Sequence, residues 1–204
     1  ARALDTIGLS ERDVRVVNTS DADLVAVFNA DDVTSTVTWN PLLSEVAAMP
    51  NTSKVFDSSQ IPGEIIDMLV VNTETLNDNP DFGKALTGAW YEIMTRMAAE
   101  DTDALSFMAK ASGTDLEGYK AQLAATNMFY EAKEAVAFAE SKQLPETMKY
   151  VSEFSFEHGL LGEGAMDAGF IGIAYPDGTV VGNSANVKLR FDSSFMSMAA
   201  DGSL

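Results

Sequence analysis

The sequence contains no cysteine and a single histidine, His158. Without cysteine, the chain cannot form disulfides, thiolate zinc sites or cysteine nucleophiles. With one histidine, we predict neither a serine–histidine catalytic pair nor a metal cluster built on histidines. We interpret His158 as a helix-end residue ahead of Gly159. Because no nucleophile paired with a base emerges, we expect a binding protein rather than an enzyme, with no cofactor and no metal.

Basic residues are also few. Thirteen Lys and Arg stand against 31 Asp and Glu, which gives a net charge of −18. This balance argues against nucleic acid as a partner, since neutralising phosphates needs clustered cations, and against docking on anionic lipid. No apolar run approaches the roughly 20 residues that cross a bilayer, so we expect no direct membrane insertion.

Apolar residues, in contrast, are plentiful. They make up 46% of the 204 residues, enough for one large domain or two small lobes with cores of their own. Strand-like segments at Val14–Asn18, Val33–Trp39 and Lys54–Ser58 alternate with helical ones that begin near Ser20 and Pro41. Such alternation with short loops predicts an α/β fold in which helices cover a parallel sheet.

The second part of the chain changes character. A polar linker, "SSQIPGE", leads to a fourth apolar strand at Ile65–Asn72. An amphipathic helix is predicted from Pro80, and further capped helices follow it. The chain then closes with a hairpin around Pro176-Asp177-Gly178 and a last strand, "NVKLRF". The C-terminal part is therefore expected to be rich in helix.

The candidate binding residues follow the predicted strands. In parallel α/β sheets, ligands bind outside the carboxyl ends of strands, where helix N-termini point. Ser20 follows the first strand, while Trp39 and Asn40 follow the second. Tryptophan offers a wide apolar face, and asparagine offers both a donor and an acceptor. Alternatively, Trp39 packs against its own helix and Asn40 merely caps it.

Further candidates lie in and beside the linker. Together with Asn40, the neutral side chains of Ser58, Ser59 and Gln60 suit a neutral amide or a zwitterion. Glu64 would favour an amine or amidine group. The scarcity of Arg and Lys in this region is unfavourable for nitrate or sulfonate, although helix N-termini can partly substitute for them.

The order of these motifs resembles a known family. "ARALDTIGLSERDVRVVNTSDADLVAVFNADDVTSTVTWNPLLSEV" and "VFDSSQIPGEIIDMLVVNTETLNDNP" are similar to the nitrate/sulfonate/taurine family of ABC-transporter substrate-binding proteins, and most similar to members described as urea-transporter components. The likeness to the family covers roughly Ala1 to Met97. The element "TWNP", Thr38 to Pro41, stands where family members carry Trp with Asn, Asp or Glu before Pro.

The resemblance implies a type II periplasmic binding protein, in which two α/β lobes with parallel-rich sheets close on a small solute. Residues 1–58 would then be the C-terminal part of the second lobe, and residues 59–64 the inter-lobe crossing. Residues 65–204 would be the returning part of the first lobe with a helical extension and a terminal hairpin. In this scheme the fold is incomplete at the N-terminus, so we expect the isolated chain to bind solute poorly.

The resemblance also implies a function. The protein would be the periplasmic, solute-binding component of an ABC importer, monomeric when full length. It would deliver a small polar nitrogen- or sulfur-containing solute (urea or an amide, nitrate, or a taurine-like molecule) to a membrane permease. One alternative is an enzyme of the thiamine-pyrimidine-synthesis type, a branch with the same architecture that uses histidine- and cysteine-containing motifs. The other is a ligand-sensing domain.

Overall fold

The computed structural model describes every residue from 1 to 204, and these residues form two compact units. The first unit comprises Ala1–Gln60 and Leu105–Thr126, and the second comprises Ile61–Ala104 and Asn127–Leu204. The first change of unit along the chain falls between Gln60 and Ile61. The return of residues 105–126 to the first unit was not predicted.

Helices dominate the chain, and a small mixed sheet completes it, so the fold is α/β in the general sense. The helices are α1 (Arg2–Asp5), α2 (Leu24–Phe28), α3 (Leu42–Ala47), α4 (Thr73–Asp78), α5 (Pro80–Ala98), α6 (Thr102–Ala111), α7 (Leu116–Ala124), α8 (Ala132–Ala139), α9 (Gln143–Glu157) and α10 (Ser194–Asp201). The strands are β1 (Gly172–Ala174), β2 (Val180–Gly182) and β3 (Val187–Arg190). Short 3-10 turns span Glu11–Asp13, Asp21–Asp23 and Ser58–Gln60. No helix combines the length and the apolar character that crossing a membrane requires.

The first unit has short helices separated by extended segments. Leu24 of α2 and Val46 of α3 are buried, as are Leu105 and Ala109 of α6. Asp115 caps α7 by accepting a hydrogen bond from the Gly118 N–H at 2.8 Å. The apolar stripes of these helices are short, and α1 and α7 bury no side chain at all.

The four strands predicted in the first 72 residues are not formed, and those predictions are wrong. The segments at 14–18, 33–39 and 65–72 lie outside every helix and strand, and the segment at 54–58 reaches the Ser58–Gln60 turn only at its last residue. Val14 keeps an extended backbone, with φ −130° and ψ 156°, yet it pairs with no neighbouring strand. Most of their apolar side chains are correspondingly exposed, Val37 by 90%. A strand is stable only when its backbone groups are paired, and apolar, β-branched composition does not provide a partner.

The long helix of the second unit agrees with its prediction. Helix α5 begins at Pro80, where the missing N–H of proline costs no hydrogen bond. Its buried face includes Gly83, Met94 and Met97. Helix α10 packs on this helix and on α8. This group of helices forms one part of the second unit.

The sheet forms the other part, in the order β2-β1-β3. β1 and β2 form the predicted antiparallel hairpin, in which Ile173 pairs with Val181. Gly178 in its turn has φ +85°, a conformation that glycine adopts without strain. β3 is the predicted last strand and runs parallel to β1. Leu144 of α9 packs with Ile173 and Tyr175 to form the core behind the sheet.

Candidate functional site

Trp39 and Asn40 lie where an extended segment meets α3. The Trp39 carbonyl accepts a hydrogen bond from the Leu43 N–H at 2.9 Å, which ties its backbone to the first turn of the helix. The indole remains 63% exposed. The peptide bond from Asn40 to Pro41 is cis. Most of the Trp39 surface is therefore available to another molecule, and only a minor part packs on the protein.

The Asn40 side chain is held by α3 without capping it. Its Oδ1 accepts a hydrogen bond from Ser44 Oγ at 2.9 Å. The N-cap position belongs to Pro41, and no side chain caps a backbone N–H of this helix. The Asn40 carboxamide thus has a fixed orientation, while its NH2 group donates no hydrogen bond within the chain. Two donors beside an exposed indole can serve a carbonyl or another neutral acceptor.

Ser58, Ser59 and Gln60 form a 3-10 turn that Asp57 organises. Asp57 Oδ1 accepts hydrogen bonds from the Ser59 N–H at 3.0 Å and from Ser59 Oγ at 2.5 Å. Its Oδ2 lies 2.5 Å from Lys54 Nζ. The hydrogen bond from Lys54, followed by those from Ser59, lowers the pKa of Asp57 to about 2. The carboxylate therefore remains charged throughout the physiological range and keeps the turn closed.

Asp57 is the residue that sequence reasoning missed. It directly precedes the linker "SSQIPGE", in which the predicted binding residues are Ser58, Ser59, Gln60 and Glu64. The Asp-x-Ser spacing of residues 57 and 59 is typical of a turn in which an aspartate accepts from the backbone two residues on. That spacing would have identified Asp57 as the organiser of this segment.

Ser20 and Glu64, which were also predicted to bind solute, each form a hydrogen bond with a residue three positions away in the sequence. Ser20 precedes the Asp21–Asp23 turn, and its hydroxyl donates to Asp23 Oδ2 at 2.7 Å. Glu64 belongs to the second unit and donates its N–H to the Ile61 carbonyl at 3.2 Å. Within the first unit, no hydrogen bond joins Ser20, Asn40 and Ser59 to one another. The structure thus places Trp39 and Asn40 side by side. It does not join Ser20 or the Ser58–Gln60 turn to them by hydrogen bonds.

No group of three or more His, Cys, Asp or Glu side chains is placed to hold a metal ion. Comparison of the chain with protein-family models, with curated proteins and with solved structures finds no match. The family resemblance therefore rests on the motifs quoted from the sequence.

Proposed function

We propose that the protein is the solute-binding component of an ABC importer. It would capture a small polar nitrogen- or sulfur-containing solute (urea or another amide, nitrate, or a taurine-like molecule) in the periplasm and deliver it to a membrane permease. The two-lobed architecture of type II periplasmic binding proteins, monomeric when full length, belongs to the same proposal. Its chemistry would be binding without catalysis.

The observation that carries the proposal is the pairing of an exposed indole with an oriented carboxamide. Trp39 is 63% exposed, and the adjacent Asn40 is held by Ser44 with its NH2 group unused. A flat apolar ring beside two oriented N–H donors suits a small, flat molecule that carries a carbonyl group. Exposing tryptophan to water is unfavourable, so an exposed tryptophan beside polar groups suits a surface that receives another molecule.

The charges nearby favour a neutral or zwitterionic solute over a simple anion. Lys54 is the only Lys or Arg between Asp32 and Gln60. Its ammonium group is engaged by Asp57 at 2.5 Å. Arg15 is engaged in the same way by Asp32, at 2.6 Å. With these cations already paired, a solute here would be held by hydrogen bonds and apolar contact, as urea and simple amides can be.

The enzyme alternative depends on histidine chemistry, and the histidine has a packing role. His158 lies at the C-terminal end of α9, and its ring stacks on Phe154 with 4.0 Å between the ring centroids. Stacking on the preceding turn is the behaviour of a helix-end side chain. We therefore propose a binding protein.

A thermal-shift screen tests the proposal. The full-length protein would be heated with urea, acetamide, taurine, nitrate or a polyamine, and the melting temperature compared with that of the free protein. We expect a solute carrying an amide or urea group to raise it, because a ligand that binds only the folded state stabilises that state. The matched variants are Trp39→Ala and Val37→Ala, which each remove an exposed apolar side chain from the same segment. The shift should vanish for Trp39→Ala and persist for Val37→Ala. Equal shifts in both variants would contradict the proposed site, and no shift with any solute would contradict the function.

A further inference from the structure

A cavity lies in the second unit, at the carboxyl ends of β1 and β3. It has a volume of about 320 Å³ and opens to solvent between two segments. Ala174–Pro176 starts at the last residue of β1, and Arg190–Ser194 runs from the last residue of β3 to the first of α10. β1 and β3 are the two strands of the sheet that run parallel. Ligands in α/β proteins favour this kind of place, because the carboxyl ends of parallel strands meet a helix N-terminus there.

The cavity wall carries one charge of each sign, and the two do not neutralise each other. The Arg190 side chain is exposed, and its guanidinium forms no ion pair or hydrogen bond within the chain. Asp192 lies two residues further on, and its Oδ1 accepts from the Ser194 N–H at 2.8 Å and from Ser194 Oγ at 2.6 Å. The Oδ2 atom of Asp192 has no partner in the chain. An unpaired guanidinium and a carboxylate with a free oxygen therefore line the same small space.

Hydrogen bonds fix the walls of this cavity before any ligand arrives. The Phe191 N–H donates to the Ala174 carbonyl at 2.9 Å, which joins the ends of the two strands. The buried Ser193 hydroxyl donates to Glu140 Oε1 at 2.7 Å and ties the start of α10 to the end of α8. A site built on fixed backbone loses less conformational entropy on binding than a mobile loop does.

Tyr175 contributes its ring to the wall of the cavity. It lines the cavity, is only 5% exposed, and its hydroxyl is buried without a hydrogen-bond partner. Its ring stacks on Phe191, with 5.5 Å between the centroids. A buried hydroxyl without a partner is costly, and most such groups in folded proteins are satisfied by protein, water or ligand.

The geometry points to a binding site for a small amino-carboxylate zwitterion in this cavity, with Arg190 holding the carboxylate and Asp192 the ammonium group. The guanidinium can bind a carboxylate through two parallel hydrogen bonds. The free Oδ2 of Asp192 can accept from the ammonium group, while the stacked Tyr175 and Phe191 rings provide an apolar floor. The volume is near the lower end of ligand pockets, about 300 to 1,000 Å³, so the ligand must be small. This site does not depend on the proposed function, whose residues Trp39 and Asn40 belong to the first unit.

Titration of the full-length protein with L-alanine, followed by 1H–15N NMR, tests the inference. Acetate and ethylamine, which each carry one half of the zwitterion, are the comparison probes. We expect alanine to shift the amide signals of residues 190–194 with a Kd in the millimolar range, as an open cavity allows. Each half should bind about ten-fold more weakly or worse, because it loses one charge-assisted contact. Acetate binding as tightly as alanine would overturn the role of Asp192. No shift with about 0.1 M alanine, a concentration that saturates a millimolar site, would overturn the site itself.

Two matched variants distinguish binding in the cavity from attraction by the overall charge of the protein. Arg190→Gln and Lys188→Gln each remove one exposed positive charge from β3, but only Arg190 lines the cavity. Arg190→Gln should weaken alanine binding about ten-fold or more, and Lys188→Gln by less than about two-fold. Asp192→Asn, which can still accept from Ser194, should weaken alanine binding and leave acetate binding unchanged. Equal losses in the two cation variants would overturn the inference. Trp39→Ala should leave alanine binding at this cavity intact, so failure here and failure of the proposed function are distinguishable.

Discussion

Replacing Gly83 by alanine tests the packing between α5 and α10. Gly83 is buried in α5 and faces the ring of Phe195 in α10. A Cβ built on Gly83 would lie 2.7 Å from Phe195 Cε1 and 2.8 Å from its Cε2. Real Cβ atoms are essentially never found so close to another carbon, so the ring or the helix must move. Gly83→Ala is therefore expected to destabilise the second unit.

The magnitude follows from two opposing effects. Overpacking of a well-packed site costs about 1–3 kcal/mol. Alanine in place of glycine in a helix interior gains about 1 kcal/mol. Gly83→Ala should therefore lower the free energy of unfolding by up to about 2 kcal/mol. The matched control is Gly88→Ala in the same helix, where the nearest atom to the new Cβ is Leu204 Cδ1 at 4.0 Å. This control should be stabilised by about 0.5–1 kcal/mol.

Urea unfolding followed by far-UV circular dichroism would measure both variants. The same two substitutions would then be made in a Phe195→Leu background, which shortens the side chain that meets the new methyl group. There Gly83→Ala should lose most of its penalty, while Gly88→Ala should be unaffected. Equal stabilisation by Gly83→Ala and Gly88→Ala in the natural background would refute the packing described for α5 and α10.

Two further predictions concern single ionisable groups. The pKa of Asp57 lies near 2, below its ordinary value of 3.8, so its stabilising contribution is present above about pH 3.8 and is lost as the pH falls through 2. In an NMR titration of the Asp57 carboxyl carbon, Lys54→Met should raise the midpoint toward 3.8. The control Lys84→Met, which removes another i,i+3 ion pair, should leave that midpoint unchanged. An unmoved midpoint in Lys54→Met would contradict the pairing of Lys54 with Asp57. Burial raises the pKa of Tyr175 to about 12, and its unpartnered hydroxyl costs about 1–3 kcal/mol. Tyr175→Phe should therefore unfold at a higher urea concentration than the natural protein, and marked destabilisation would show that the hydroxyl has a partner in solution.

Local signals predicted the second part of the chain well. Proline at the first helical position and a stripe of apolar residues were sufficient to place the start of α5 at Pro80. The Pro-Asp-Gly turn was sufficient for the β1–β2 hairpin, because Gly178 supplies the positive φ that the turn needs. In each case the residues that determine the structure are close in the sequence.

The strands predicted in the first 72 residues are not formed, because the pairing of strands depends on residues that are distant in the sequence. The segment Val33–Trp39 has the β-branched composition of a buried strand, yet Val37 is 90% exposed. The composition of a segment shows that it can adopt an extended backbone. Its hydrogen-bonding partner must come from another segment that lies beside it in the fold. The parallel pairing of β1 with β3, which creates the cavity beside Arg190, was missed for the same reason.

The candidate site was predictable in part. The position of Trp39 and Asn40 at the start of α3 follows from Pro41 and the helical pattern after it. The exposure of Trp39 and the hydrogen bond from Ser44 to Asn40 do not, because both depend on how the short helices pack. The role of Asp57 was predictable from its spacing to Ser59, which is typical of a turn organised by an aspartate.

The most direct test of the proposed function is the affinity of the full-length protein for urea, measured by titration calorimetry in four forms. These are the natural protein, Trp39→Ala, Asn40→Ala and the control Val37→Ala. We expect Trp39→Ala and Asn40→Ala each to weaken binding about ten-fold or more, since each loses contact worth about 1.4 kcal/mol or more, while Val37→Ala binds as the natural protein does. Melting temperatures should change little in all three variants, because Trp39 is 63% and Val37 90% exposed and Asn40 caps no backbone group. Unchanged affinity in Trp39→Ala together with a large fall in its melting temperature would contradict the account and show that Trp39 is a packing residue.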